Sequence, residues 1–260
     1  MIEKVPSEDG TAIAFERSGQ GPALVVVAGA GCDRTAFATL GRRLASRFCV
    51  YRYDRRGRGA SGAGPGCSVE AEVADLAAVV SAAGGRAAVF GHSSGAILSL
   101  EAALRAVPIT RLALYEPPFI VDRSRPLPGA RLADRLADLA ASGRHGEAVE
   151  LFWAEGVGLS PATIARLKST PTWAATLPLA GTLSHDVELC GEGCELPRAR
   201  YSGVTVPTLA IDGEASPTWV HNAVVALAGA IPGARHLRLA GQSHVPEDES
   251  LAPVLEQFLS

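Results

Sequence analysis

Short, continuous apolar runs alternate along most of the chain with longer stretches in which apolar residues recur every three or four positions. ALVVVA at 23–28 is β-branched in the way that a strand buried on both faces requires. Ahead of it, Thr11–Arg17 follows an Asp9-Gly10 turn and reads as an edge strand. The pattern then predicts a helix over 36–47, a strand over 48–53 and a helix over 68–83, the last capped by Ser68 with Glu70 and Glu72 in its first turns. A strand over 86–90, a helix over 94–106 and a strand over 111–115 follow. Strand–helix alternation of this kind predicts an α/β fold, with a mostly parallel twisted sheet covered by helices on both faces.

From 120 to 201 the β-branched runs disappear and the pattern turns helical, as in LADRLADLAASG and EAVELFWAEG, with breaks at Pro161, Pro171, Pro178 and Gly181. The earlier pattern then resumes with a strand over 206–211, a helix over 218–230, a strand over 236–239 and a helix over 253–259. The expected organisation is a core made of residues 1–119 and 202–260, interrupted by an inserted helical cap, or lid, over 120–201. No internal repeat or low-complexity linker interrupts it.

Composition narrows the function. An apolar fraction of 47% with 20% charged residues excludes disorder, and a net charge of −3 lacks the cationic excess of a nucleic-acid binder. The N-terminal MIEKVPSEDG has no basic region leading into an apolar core, and no apolar run is long enough to span a bilayer, so a cytoplasmic protein without membrane partners is expected. In that compartment Cys32, Cys49, Cys67, Cys190 and Cys194 are expected as free thiols. Scattered histidines without HExxH imply no metal, and Gly29-Ala30-Gly31 lacks the GxGxxG spacing of a nucleotide site, so no cofactor is expected. The partner left is a small-molecule substrate; oligomeric state is not legible in the sequence.

The chemistry concentrates in AAVFGHSSGAILSLEAAL. Its GHSSG fits GxSxG and lies between a predicted strand and a predicted helix, the setting of a nucleophile elbow. A sharp turn there holds Ser93 in a strained conformation, which the flanking glycines permit, and presents its hydroxyl at the sheet's C-terminal edge. The Ser94 amide, opening the helix, is then aimed to donate to an oxyanion. A serine hydroxyl is a weak nucleophile without a base, and six histidines are available.

With these features the sequence resembles the α/β-hydrolase fold family over essentially its whole length. ALVVVA followed by Gly29-Ala30-Gly31 matches the family's oxyanion loop, with Ala28 where a His is usual, and YDRRGRGAS, VPTLAIDGEASP and AGQSHVPED match later strand–loop blocks. The resemblance implies that His244 is the base and that Ala30, or else Gly29, supplies the second oxyanion donor beside Ser94. The acid departs from the common pattern, because its usual position is occupied by Ser216. Glu116, Asp212 and Glu214 are the candidates. Glu116 is favoured, since haloalkane dehalogenases and zearalenone-type lactonases carry the acid after the strand preceding the cap; Asp212 is the next choice. The similarity to zearalenone-type lactonases extends to SSGA and GEASP. Trp153 and Phe119 are expected to line an apolar pocket, while His185 and Asp186 read as an entrance or a helix cap.

These features imply a serine hydrolase that cleaves an ester or lactone of a small, mostly apolar molecule through Ser93, His244 and Glu116. Two alternatives stand: a non-hydrolytic cyclase or lyase acting on a biosynthetic intermediate, and a ligand-binding protein on this fold.

Overall fold

The computed structural model describes residues 1–122 and 124–260. Eight strands form one sheet in the order β1-β2-β4-β3-β5-β6-β7-β8. At one edge β1 (Ile2–Pro6) pairs antiparallel with β2 (Ala12–Ser18), which pairs antiparallel with β4 (Cys49–Tyr53). The remaining strands, β3 (Ala23–Val27), β5 (Ala87–His92), β6 (Ile109–Tyr115), β7 (Thr208–Gly213) and β8 (Arg235–Leu239), join through parallel pairings only. Every residue of β5 and β7 is buried, as strands covered on both faces must be.

Two helical layers do the covering. On one face, Leu40 and Leu44 of α1 (Ala38–Leu44) and Leu251 and Leu255 of α11 (Asp248–Leu259) pack with Leu24, Phe90 and Ile211. On the other, α2 (Val69–Ala82), α3 (Ser94–Leu104) and α10 (Thr218–Ala230) bring Leu76, Ile97 and Leu227 against Val25, Val89 and Leu112. Each such side chain contributes about 1.5–3 kcal/mol by leaving water. The Ser68 hydroxyl accepts from the Ala71 amide and caps α2 as expected.

Three elements differ from the sequence pattern. β1 was not expected, because IEKVP is an edge strand whose residues alternate between exposed and half-buried and carries little apolar signal. α11 starts at Asp248 and carries Pro253 inside it, not at its start. Asp248 and Glu249 favour the helix N-terminus, and the buried face of Leu251, Ala252, Leu255 and Phe258 offsets the hydrogen bond that Pro253 cannot donate. β7 begins after Pro207, which has no N–H for the ladder, and so runs on through Asp212 and Gly213.

Between β6 and β7 the regular elements among the described residues are all helical, apart from one isolated bridge between Ile120 and Glu195, and the first of them begins only at Leu132. They include α4 (Leu132–Ala141), α5 (His145–Leu151) with a following π-helical turn, α6 (Pro161–Leu167), α7 (Pro171–Thr176), a 3-10 segment (Leu177–Thr182), α8 (Leu183–Cys190) and α9 (Arg198–Tyr201). Leu132, Leu136, Val149, Trp153, Ile164 and Leu183 form an apolar cluster of their own, and Ala30 from the core packs against it. No helix among the described residues is long and apolar enough to cross a membrane.

Candidate active site

The loops after β3, β5 and β6 meet at Ser93, and the loops after β7 and β8 join them through Glu116, His92 and Tyr115. Ser93 has φ 55° and ψ −125°, a left-handed conformation that costs a non-glycine residue of order 1–3 kcal/mol. Its amide donates to the Tyr115 carbonyl at 2.8 Å, which ties the turn to β6. The turn needs glycine at 95, where a Cβ would lie 2.3 Å from the Val27 carbonyl oxygen. The loop after β3 passes equally close, since a Cβ on Gly29 would lie 2.9 Å from the Ser93 Cβ. The side chain of Ser93 caps nothing in α3.

Glu116 ends β6 in a second strained conformation, φ 47°, immediately before Pro117. The carboxylate is fully buried and the surroundings satisfy it. Oε1 accepts from the Gly213 amide at 2.8 Å and from the Ser216 hydroxyl at 2.6 Å, and Oε2 lies 2.7 Å from Nδ1 of His244. Ser216, where the common family pattern has an acid, is therefore a donor to Glu116.

His244 sits on the loop after β8, and two core side chains hold that loop by its backbone. Tyr115 Oη donates to the Ser243 carbonyl at 2.6 Å, and His92 Nε2 donates to the His244 carbonyl at 2.8 Å. His92 directly precedes Ser93, so the His244 loop is fastened to the strained turn itself. Because a carbonyl oxygen only accepts, Nε2 of His92 carries a proton. Burial, and then the nearby His244, push the His92 pKa down to about 3. With Nδ1 directed at Glu116, Nε2 of His244 makes no hydrogen bond among the described residues.

The other expected residues fall differently. Asp212 is on the opposite face of β7 from Ile211 and does not meet His244. Its carboxylate binds Nδ1 of His221 at 2.9 Å and Nε2 of His236, with the Arg238 guanidinium 3.4 Å away. This trio is the one group among the described residues with metal-ligand donors so close together, but Arg238 already brings a cation against Asp212 and His221. Glu214 accepts from the Gly241 amide. Phe119 packs on Tyr201 in the main core, 5.7 Å between centroids, and Trp153 packs on Trp173 inside the insertion. Both side chains are buried and each has an aromatic neighbour. A hollow of about 600 Å³ opens beside Ile120–Asp122, Ser124–Leu127 and Glu195, away from Ser93.

Beneath Gly29, Ala30 and Ser94 lies a group of charges the sequence reading did not anticipate. Arg55 binds both Glu72 oxygens along its Nε/Nη2 edge and reaches Asp186 through Nη1 at 2.7 Å; Arg58 reaches the other Asp186 oxygen at 2.8 Å. All four side chains are at most 4% exposed, so each charge depends on its partners. Deleting one partner of such a buried set costs about 3–5 kcal/mol. Burial alone would raise the Asp186 carboxyl, but Arg58 and Arg55 outweigh it and hold the group below the usual carboxylate range. The legible signal was YDRRGRG, three arginines in one tight loop that folding buries and that must find anions.

Comparison with known proteins agrees with this architecture. The model of the family described as "Alpha/beta hydrolase family" matches residues 24–257. A solved structure of an alpha/beta hydrolase from Sphaerobacter thermophilus is 48% identical, covering 99% of this chain and 100% of that one with a TM-score of 0.96. A pimeloyl-[acyl-carrier protein] methyl ester esterase from Chromobacterium violaceum is 34% identical over 54% of this chain and 55% of its own. An N-formylmaleamate deformylase from Pseudomonas putida is 36% identical over 38% and 39%. The chain thus spans about half, or less, of the curated relatives it matches. Family model, whole-length structural match and sheet order agree: the chain belongs to the alpha/beta hydrolase family.

Proposed function

We propose that this protein is a serine hydrolase that cleaves an ester or lactone of a small, mostly apolar molecule, with Ser93 as nucleophile, His244 as base and Glu116 as the acid that orients it. The observation that carries the reading is the 2.7 Å contact between Glu116 Oε2 and His244 Nδ1, on a loop fastened to the strained turn at Ser93. Ser93 Oγ attacks the acyl carbon while His244 Nε2 takes its proton, and Glu116 stabilises the imidazolium that forms. The oxyanion is met by the Ser94 amide and by the amide of Ala30 or Gly29. His244 returns the proton to the leaving alkoxide, an acyl-serine remains, and water activated by the same imidazole releases the acid. Neither step asks for a cofactor.

In this reading the helical segment 120–201 serves as a lid over Ser93. Support for an apolar acyl group comes from Ala30, which packs against the apolar cluster of that segment. Membership in a family whose relatives include one named for a methyl ester supports the reaction class. The test is labelling with a fluorophosphonate together with turnover of p-nitrophenyl acetate. A single phosphonyl adduct on Ser93 and ester turnover, both abolished by Ser93→Ala, are expected. Labelling without turnover would replace hydrolysis by non-hydrolytic chemistry, and absence of both would favour a binding protein.

A further inference from the structure

Asp186 belongs to α8 in the insertion, yet its carboxylate bonds only to core residues among those described. One oxygen accepts from the Ser94 hydroxyl at 2.7 Å and from Arg55 at 2.7 Å; the other accepts from Arg58 at 2.8 Å. Arg58 continues inward, donating to the Gly29 carbonyl at 2.7 Å and to the Cys32 carbonyl at 3.2 Å. The Gly29 carbonyl and the Ala30 N–H belong to one planar trans peptide, so a guanidinium fixed on the oxygen fixes the direction of the N–H opposite it. The same carboxylate therefore grips the side chain of Ser94 at one donor and, through Arg58, the peptide plane of Ala30 at the other. The insertion also leans on this loop elsewhere, since a Cβ on Gly31 would meet the Thr176 methyl at 2.9 Å.

We infer that Asp186 is a positioning residue that sets the two oxyanion donors relative to one another, so that the donors are in register only while the insertion is seated on the core. The inference rests on the hydrolase reading above. Oxyanion donors act through placement, and a misplacement of about 1 Å can cost about a hundredfold in rate. A purely structural ion pair stands next to it for contrast. Arg56, on the same loop, binds both Asp75 oxygens along its Nε/Nη2 edge, each side chain 1% exposed, but its other partners are Asp9, Gly66 and Ala71 and none belongs to the Ser93 surroundings.

The experiment compares Asp186→Asn, Ser94→Ala and Asp75→Asn in the full chain. It measures kcat and KM on p-nitrophenyl acetate per site counted by exhaustive fluorophosphonate titration, together with inhibition by an alkyl boronic acid that forms a tetrahedral adduct. Asp186→Asn is expected to lower kcat per site about 10- to 100-fold with KM within about threefold, and to weaken the boronate by a similar factor. Ser94→Ala, which keeps the amide and removes one neutral hydrogen bond, is expected to lower kcat about three- to tenfold. Asp75→Asn is expected to lower the melting temperature and leave kcat per site unchanged. Wild-type kcat and boronate affinity in folded Asp186→Asn and Ser94→Ala would overturn the inference, and if Asp186→Asn does not fold, Ser94→Ala decides alone. Wild-type protein that neither labels at Ser93 nor hydrolyses the ester would overturn the hydrolase reading and this role with it.

Discussion

Glu116 and Asp212 end neighbouring strands, β6 and β7; each side chain is 0% exposed and each meets histidine. Their surroundings differ in kind. Glu116 divides its oxygens between two neutral donors, Gly213 N–H and Ser216 O–H, and a single imidazole, whose outer nitrogen stays free. Asp212 holds His221, His236 and Arg238, and the Arg238 guanidinium lies against both ring nitrogens of His221. A carboxylate–imidazole contact is thus not enough to make a site. In the proposed mechanism the pair is useful because one imidazole nitrogen stays available and its loop is pinned to the turn at Ser93, as His92 and Tyr115 pin the His244 loop.

Mutation of the histidines breaks the comparison most sharply. His244→Ala is expected to lower kcat/KM for p-nitrophenyl acetate by about ten-thousandfold or more, whereas His221→Ala and His236→Ala stay within about threefold. The acid can also be moved. Because Ser216 Oγ lies 2.6 Å from Glu116 Oε1, the double variant Glu116→Gln/Ser216→Asp is expected to recover at least about tenfold of the turnover lost in Glu116→Gln alone. Steady-state kinetics on the three proteins check it, and a double variant no better than the single one would show that Ser216 does not share the acid's position. Asp212, by contrast, matters to folding. Asp212→Asn is expected to cost about 1–3 kcal/mol in urea denaturation, since a buried amide leaves the imidazoles and Arg238 poorly matched.

A further expected effect falls on stability alone and appears as a slope with pH. His92 titrates near 6.5 when unfolded but is held down to about 3 when folded, so between these values the unfolded chain binds a proton that the native chain does not. Its contribution is therefore neutral above about 6.5 and destabilises the fold progressively as pH falls toward about 3. Urea midpoints from pH 7 to 4 should fall more steeply for wild type than for His92→Asn, by up to about 1.4 kcal/mol per pH unit. Equal slopes would contradict the assignment of His92 as a buried neutral imidazole.

Much of this organisation is legible in the amino-acid pattern, for physical reasons that also explain what is not. Strands such as ALVVVA are covered on both faces, so their side chains must be apolar and the run stands out. The strained turn in GHSSG is legible because its glycines answer to close backbone contacts, whereas Glu116 and Asp212, both charges near the ends of apolar strands, look alike until their partners are seen. Asp186 is not legible. In LSHDVELC it looks like a solvent-facing residue of a helix, and its partners Arg55, Arg58 and Ser94 are more than ninety positions away, brought to it by the packing of α8 on the core. Phe119 and Trp153 read as pocket walls for the converse reason: an aromatic side chain gives the same signal whether it faces a ligand or a neighbouring aromatic. Ser216 likewise reads as a missing acid until Glu116 is seen accepting its hydroxyl.

The measurement that reaches the central claim most directly is kcat of Glu116→Gln beside that of Asp212→Asn, on one ester and with folding verified for both. The proposed mechanism predicts a fall of about a thousandfold or more for Glu116→Gln, because the amide cannot stabilise the imidazolium, and a change within about threefold for Asp212→Asn. Glu116→Gln at wild-type turnover, or a large loss confined to Asp212→Asn, would contradict it.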